Sequence, residues 1–171
     1  MEASGKPKQR EETSAPFAFS DDEGKKAAEK AMSLLLHKDR TRWELTERLA
    51  RAGFSEKASL EAIGYVDQFG YINDQRYVEN YIMFQKGKKS KKEMIYRLTE
   101  KGIPNELISQ TLENMEYEGE EGAIQKLVAK KLRGREFCEL DYRERQKIAQ
   151  YLGRKGYHFP TIKKVLSQFE S

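Results

Sequence analysis

The sequence predicts an all-α protein made of three tandem three-helix repeats that form an elongated array. Three observations carry that expectation. Apolar residues recur at helical spacing from Lys25 onward, with no convincing period-two alternation. One segment pattern returns twice along the chain. Each copy of that pattern ends its central helix on a glycine.

The helical stripes come first. Ala28, Met32 and Leu35 lie three and four residues apart, as do Tyr77, Tyr81 and Phe84, and then Leu107, Thr111 with Leu112, and Met115. Residues so spaced share one face of a helix, and we read all three stripes as packing surfaces.

The repeat is legible in register. Leu45, Leu49, Gly53 and Phe54 align with Met94, Leu98, Gly102 and Ile103, and again with Ile148, Leu152, Gly156 and Tyr157. Past the glycine, Ile63, Leu112 and Leu166 form a fifth column, and Val66, Met115 and Phe169 a sixth. The glycines read as left-handed residues just after a helix, and the apolar residue that follows packs back on the last turn. Ser55, Pro104 and Pro160 suit the start of the next helix. Thr41 with Glu44 and Ser90 with Glu93 read as capping boxes at matching positions, and Asp74 reads as an N-cap.

Helices are therefore expected at 23–37, 41–52 and 56–69, at 74–86, 91–101 and 104–116, and at 119–133, 142–155 and 160–169. The domains are 23–70, 71–117 and 118–171, preceded by a disordered tail over 1–22 in which Phe17 and Phe19 are incidental aromatics. A unit of this size has little core of its own, so neighbours should stack. The third unit has a longer link, Gly134 to Asp141, between its first two helices.

Composition narrows the function. With 35% charged and 37% hydrophobic residues the core is economical. The single cysteine, Cys138, rules out an internal disulfide framework and fits a reducing, cytoplasmic setting. No apolar run approaches the roughly 20 residues that span a bilayer. The net charge of +4 is uneven: residues 1–24 sum to −3 and the remainder to +7. A basic body prefers an anionic partner, either nucleic acid or an acidic protein face.

The cations repeat as well. Arg40, Lys89 and Arg143 share one aligned column, and Arg42, Lys91 and Arg145 another, both at the entrance to the second helix of each unit. A helix N-terminus already favours anions, and cations there add to that attraction. Lys86, Lys88, Lys89, Lys91 and Lys92 form the densest cluster, and Lys101, Arg154 and Lys155 complete the candidate binding set. Gly87-Lys88-Lys89-Ser90 is no phosphate-binding loop, because Ile82 stands where its first glycine belongs. Trp43, beside Arg42, reads as packing. The acidic run Glu116, Glu118, Glu120 and Glu121 reads as complementing a helix dipole.

The string Gly70-Tyr-Ile-Asn-Asp74-Gln-Arg-Tyr77, with Trp43-Glu-Leu45, Leu49, Gly53-Phe54 and Gly102-Ile103, resembles the RecX family of bacterial regulators of the RecA recombinase. The resemblance runs from about Lys25 to Phe169, with departures at Asn73, Val78 and Tyr157. It implies a non-enzymatic protein that lies along the helical groove of the RecA–DNA filament. It also implies inhibition of ATP hydrolysis, strand exchange and the co-protease activity that triggers the SOS response. The partner expected on that basis is the RecA filament. DNA, if touched, is bound weakly and without sequence preference. A monomer is expected, with no membrane, small-molecule substrate, cofactor or metal.

Two other classes are weaker. The alternative is a stand-alone nucleic-acid-binding protein without sequence preference: Ser59 and Glu61, Asn105 and Gln110, and Lys163 and Lys164 on the third helices make no shared reading face, so sequence-specific reading is not expected. An enzyme would need a constellation that His37, His158 and Cys138 do not supply.

Overall fold

The computed structural model describes residues 17–115 and 119–170, and all regular structure among them is helical. Helix α1 is Asp22–His37, α2 Arg42–Arg51, α3 Glu56–Gln68, α4 Asp74–Gln85, α5 Lys91–Thr99, α6 Asn105–Asn114, α7 Glu120–Leu132, α8 Tyr142–Arg154 and α9 Phe159–Gln168. A 3-10 turn, Phe137–Glu139, lies in the link before α8. None of these helices is long and apolar enough to cross a membrane.

Local chemistry explains the boundaries. Thr41, Ser55, Ser90 and Asp141 cap α2, α3, α5 and α8 by accepting the N3 backbone N–H. At α2 and α8 the N3 residues Glu44 and Glu144 close the box by accepting the cap's own N–H. The three repeat glycines have φ of +89°, +73° and +89°. After each, the next residue's N–H bonds back to a leucine carbonyl: Phe54 to Leu49, Ile103 to Leu98 and Tyr157 to Leu152, all at 3.2 Å. These are Schellman ends, made once per unit by the same residue types.

The core falls into three clusters. Ala27, Ala28 and Ala31 of α1 pack with Ala58, Ala62, Ile63 and Val66 of α3 and with Leu45 and Leu49 of α2. Val78 and Ile82 of α4 pack with Leu98, Ile108 and Leu112. Ile124 and Val128 of α7 pack with Phe137, Ile148, Leu152, Tyr157, Ile162 and Val165. Each unit thus buries its own apolar face, and the alanines let α1 and α3 approach closely.

Several expectations need correction. Phe84 is 74% exposed: α4 buries Val78 and Ile82, one position round from the aromatic stripe, and keeps only Tyr77 and Tyr81 against the core. Phe17 and Phe19 are not incidental, because both rings pack on Tyr65, at 5.5 and 5.3 Å between centroids. Gly64 makes room for this, with the Phe17 ring 3.6 Å from where a Cβ would sit. The expected tail over residues 1–16 and the boundary at 117/118 lie outside the described residues.

Candidate interaction surface

The units meet at joints made by their second helices. Thr41 accepts the Glu44 N–H at the start of α2, and its hydroxyl donates to the Lys101 carbonyl beyond the end of α5, at 2.6 Å. Ser90 accepts the Glu93 N–H at the start of α5, and its hydroxyl donates to the Lys155 carbonyl beyond the end of α8, at 2.7 Å. The N-terminus of α2 therefore abuts the C-terminus of α5, and the N-terminus of α5 abuts the C-terminus of α8. Opposite dipole ends meet in both cases. Both hydroxyls are buried, so each joint bond also spares a buried polar atom.

Acids from the following unit complete the joints. Asp74 accepts the Arg42 N–H at 2.9 Å, and Glu120 accepts the Lys91 N–H at 2.7 Å. Each is the first residue of the next unit's first helix. Asp74 is thus not an N-cap: Asn73 takes that role, accepting the Arg76 N–H, which frees Asp74 to reach across. Glu120 likewise does more than complement a dipole, and Glu121 pairs with Lys164 at 2.7 Å. Glu116 and Glu118 lie outside the described residues.

The joints differ in one respect. At the first, Trp43 lies on Gly102 so closely that a Cβ there would collide with the indole, and Glu44 pairs with Lys101. The Glu44 hydrogen bond raises the Lys101 pKa against a smaller opposing effect of burial. At the second, Lys92 stands in place of Trp43, with its stem over Gly156, and Glu93 turns to Lys89 instead. Two adjoining clefts remain, of about 570 and 460 Å³.

The candidate cations separate on this frame. Lys91, Lys92, Arg154 and Lys155 are brought together along the second-joint clefts. Lys101 is committed to Glu44, and Lys89 to Glu93. Arg42 pairs with Asp67 at 2.9 Å, and Arg40 reaches the Leu34 carbonyl at 3.4 Å. Lys86 is exposed at the end of α4, and Lys88 lies over the Phe84 ring.

The third pair breaks the proposed columns. Helix α8 is one turn longer at its N-terminus than α2 or α5, so its cap is Asp141. Arg143 and Arg145 then fall at the second and fourth helical positions, whereas Arg40 and Arg42 flank the cap of α2. Arg145 is also half-buried and pinned: it donates to the Leu140 and Cys138 carbonyls at 3.0 and 3.1 Å, pairs with Glu170 and covers the Phe137 ring. Arg143 is exposed. As a carboxylate, Asp141 accepts the Glu144 N–H but has no hydroxyl proton to donate. At the opposite end Gly53 has open space around it.

Among the described residues no group of three His, Cys, Asp or Glu side chains could hold a metal ion.

Comparison with known proteins places this architecture. Residues 27–65 match the model of the RecX first three-helix domain, and residues 119–166 that of the RecX third three-helix domain. The chain is 31% identical over 147 residues to the regulatory protein RecX of Caldanaerobacter subterraneus subsp. tengcongensis, covering 85% of this chain and 71% of that one. It is 29% identical over 128 residues to the regulatory protein RecX of Clostridium perfringens, covering 74% of this chain and 60% of that one. The crystal structure of RecX from Lactobacillus salivarius superposes with a TM-score of 0.73 at 26% identity, over 87% of this chain and 97% of that one.

Proposed function

This chain belongs to the RecX family of regulatory proteins, and we propose that it binds along the RecA–DNA filament and inhibits its ATPase, recombinase and co-protease activities. It does so without catalysis, as a cytoplasmic monomer. Beyond family membership, the observation that supports the reading is the joint itself. The same hydroxyl-to-carbonyl link is made twice, so successive units follow one another in one direction by the same connection. Such an array suits a partner that is itself a polymer of identical subunits.

The basic body supplies many weak contacts. Each exposed cation contributes on the order of 1 kcal/mol or less, because exposed charges are screened. Several contacts on one rigid array act together, and the effective concentration of each rises once the first is made. Direct contact with DNA through the same cations is weak, indifferent to sequence and steeply weakened by salt, since counterion release drives it.

The test is co-sedimentation at physiological salt with RecA filaments on single-stranded DNA, and with the same DNA alone, scored together with RecA ATP hydrolysis. The chain should pellet with the filament, lower the hydrolysis rate and stay in solution with naked DNA. Equal pelleting with and without RecA would replace this reading with that of a non-specific nucleic-acid-binding protein.

A further inference from the structure

The two joints share one receiving surface, but only the first is filled. Its receiving half is Gly102, which offers a flat patch without a Cβ, and Lys101, which offers an ammonium. The entering half is the dipeptide Trp43-Glu44, with the ring on the glycine and the carboxylate on the lysine. The second joint keeps the receiving half as Gly156 and Lys155. Its entering half is Lys92-Glu93, which brings no ring and sends its carboxylate to Lys89. Lys155 has no carboxylate against it among the described residues and rests near the Tyr151 ring, 5.7 Å from its centre.

The space so left is the pair of clefts on either side of the Lys92 stem. One is walled by Tyr96 and Tyr151, the other by Ile95, Tyr157 and Phe159. Tyr96 and Phe159 are 59% and 65% exposed, and the only cation over the Tyr96 ring among the described residues is its chain neighbour Arg97, 5.7 Å from the centroid. At about 570 and 460 Å³ each cleft is large enough for an aromatic side chain with its neighbours. The rim is cationic, from Lys91, Lys92, Arg154 and Lys155.

We propose that the cleft at the second joint is a docking site for an acidic, aromatic-bearing segment of a partner protein. The partner's ring enters beside Lys92, against the tyrosines, and its adjacent carboxylate meets Lys155. It thereby supplies the pair of groups that Trp43 and Glu44 supply within the first joint. Aromatic anchors in desolvated clefts dominate such interfaces, and a cation beside the ring adds to the attraction. Glu93 and Glu120 also line the clefts, and they favour a peptide over nucleic acid. A phosphate chain threading the site would run past both carboxylates, whereas a peptide places its few acids only where cations stand.

The test uses the full chain and does not depend on RecA, so it can fail or succeed independently of the filament reading. The probe is a fluorescein-labelled peptide of sequence Asp-Glu-Trp-Glu-Asp, followed by anisotropy at low salt. Controls are the same peptide with Ala for Trp and a labelled 15-nucleotide oligothymidine. Lys92→Trp restores the first joint's residue and fills the cleft, and Lys155→Glu reverses the charge at an exposed position. Both variants should keep parental helicity. The parent should bind the Trp peptide at least about tenfold more tightly than the Ala peptide, and each variant should lose about tenfold or more, a difference of 1.4 kcal/mol. Equal binding of the two peptides, unchanged binding by Lys92→Trp, or no peptide binding by the parent would overturn the proposal. So would oligothymidine binding that both variants abolish while peptide binding persists.

Discussion

Thr41 and Ser90, 49 positions apart, occupy the same place in successive units and make the same two hydrogen bonds, one to their own helix and one to the next unit. A single hydroxyl thus acts as both N-cap and inter-unit clasp. Such a position calls for a residue that can accept and donate at once; in the third unit the aligned residue is Glu144, and the cap of α8 is Asp141, one turn earlier.

Removing the clasp should cost more than removing a cap. Thr41→Val keeps the shape, loses the cap and leaves the part-buried Lys101 carbonyl without this partner. We expect a loss of about 2–3 kcal/mol, the sum of a cap and a part-buried hydrogen bond. The exposed cap mutation Asp141→Ala should cost about 1 kcal/mol. Urea unfolding followed by circular dichroism measures both, and equal losses would remove the clasp role.

The repeat glycines should not be equivalent. Gly53→Ala meets nothing within 4 Å and carries only the strain of a left-handed alanine, about 1–2 kcal/mol. Gly102→Ala has the same strain and also drives a methyl into Trp43. We expect it to lose at least about 1 kcal/mol more, within the range for overpacking, with a change in Trp43 fluorescence. Matching losses at the two positions would contradict the close approach.

Arg143 and Arg145 should separate stability from binding. Arg145→Ala releases two carbonyls and uncovers Phe137, so the third unit should be destabilised by about 1–3 kcal/mol. Arg143→Ala, at an exposed position, should leave stability within about 0.5 kcal/mol. Thermal melts of the two variants check this.

Acid should act first on caps. Glu144 accepts two Arg135 hydrogen bonds and the Asp141 N–H, and these hold its carboxyl below the ordinary value, the Arg135 bond foremost. A lowered folded-state pKa gives stability that is complete above the unfolded-state value and fades as pH falls through the folded one. Glu144→Gln should therefore be less stable than the parent at pH 7, and the gap should shrink between about pH 5 and pH 2. A gap independent of pH over that range would show that the charge does not matter.

The sequence alone determined the helices, their Schellman ends and the threefold repeat, because caps, left-handed glycines and apolar spacing act within one or two turns. It determined the columns best near the glycines, where the alignment is anchored. It read the start of α8 within a residue, at 142, but still treated Arg143 and Arg145 as equivalent to Arg40 and Arg42, although the earlier start puts them inside the first helical turn rather than around the cap. Tertiary structure decided which polar groups are already engaged. Asp74, Glu120 and Arg145 satisfy partners that lie on other segments, and no local pattern distinguishes such a residue from a solvated one. It also decided that the second joint is open, since the effect of Lys92 in place of Trp43 depends on a glycine 64 residues away, brought beneath it only by the stacking of units.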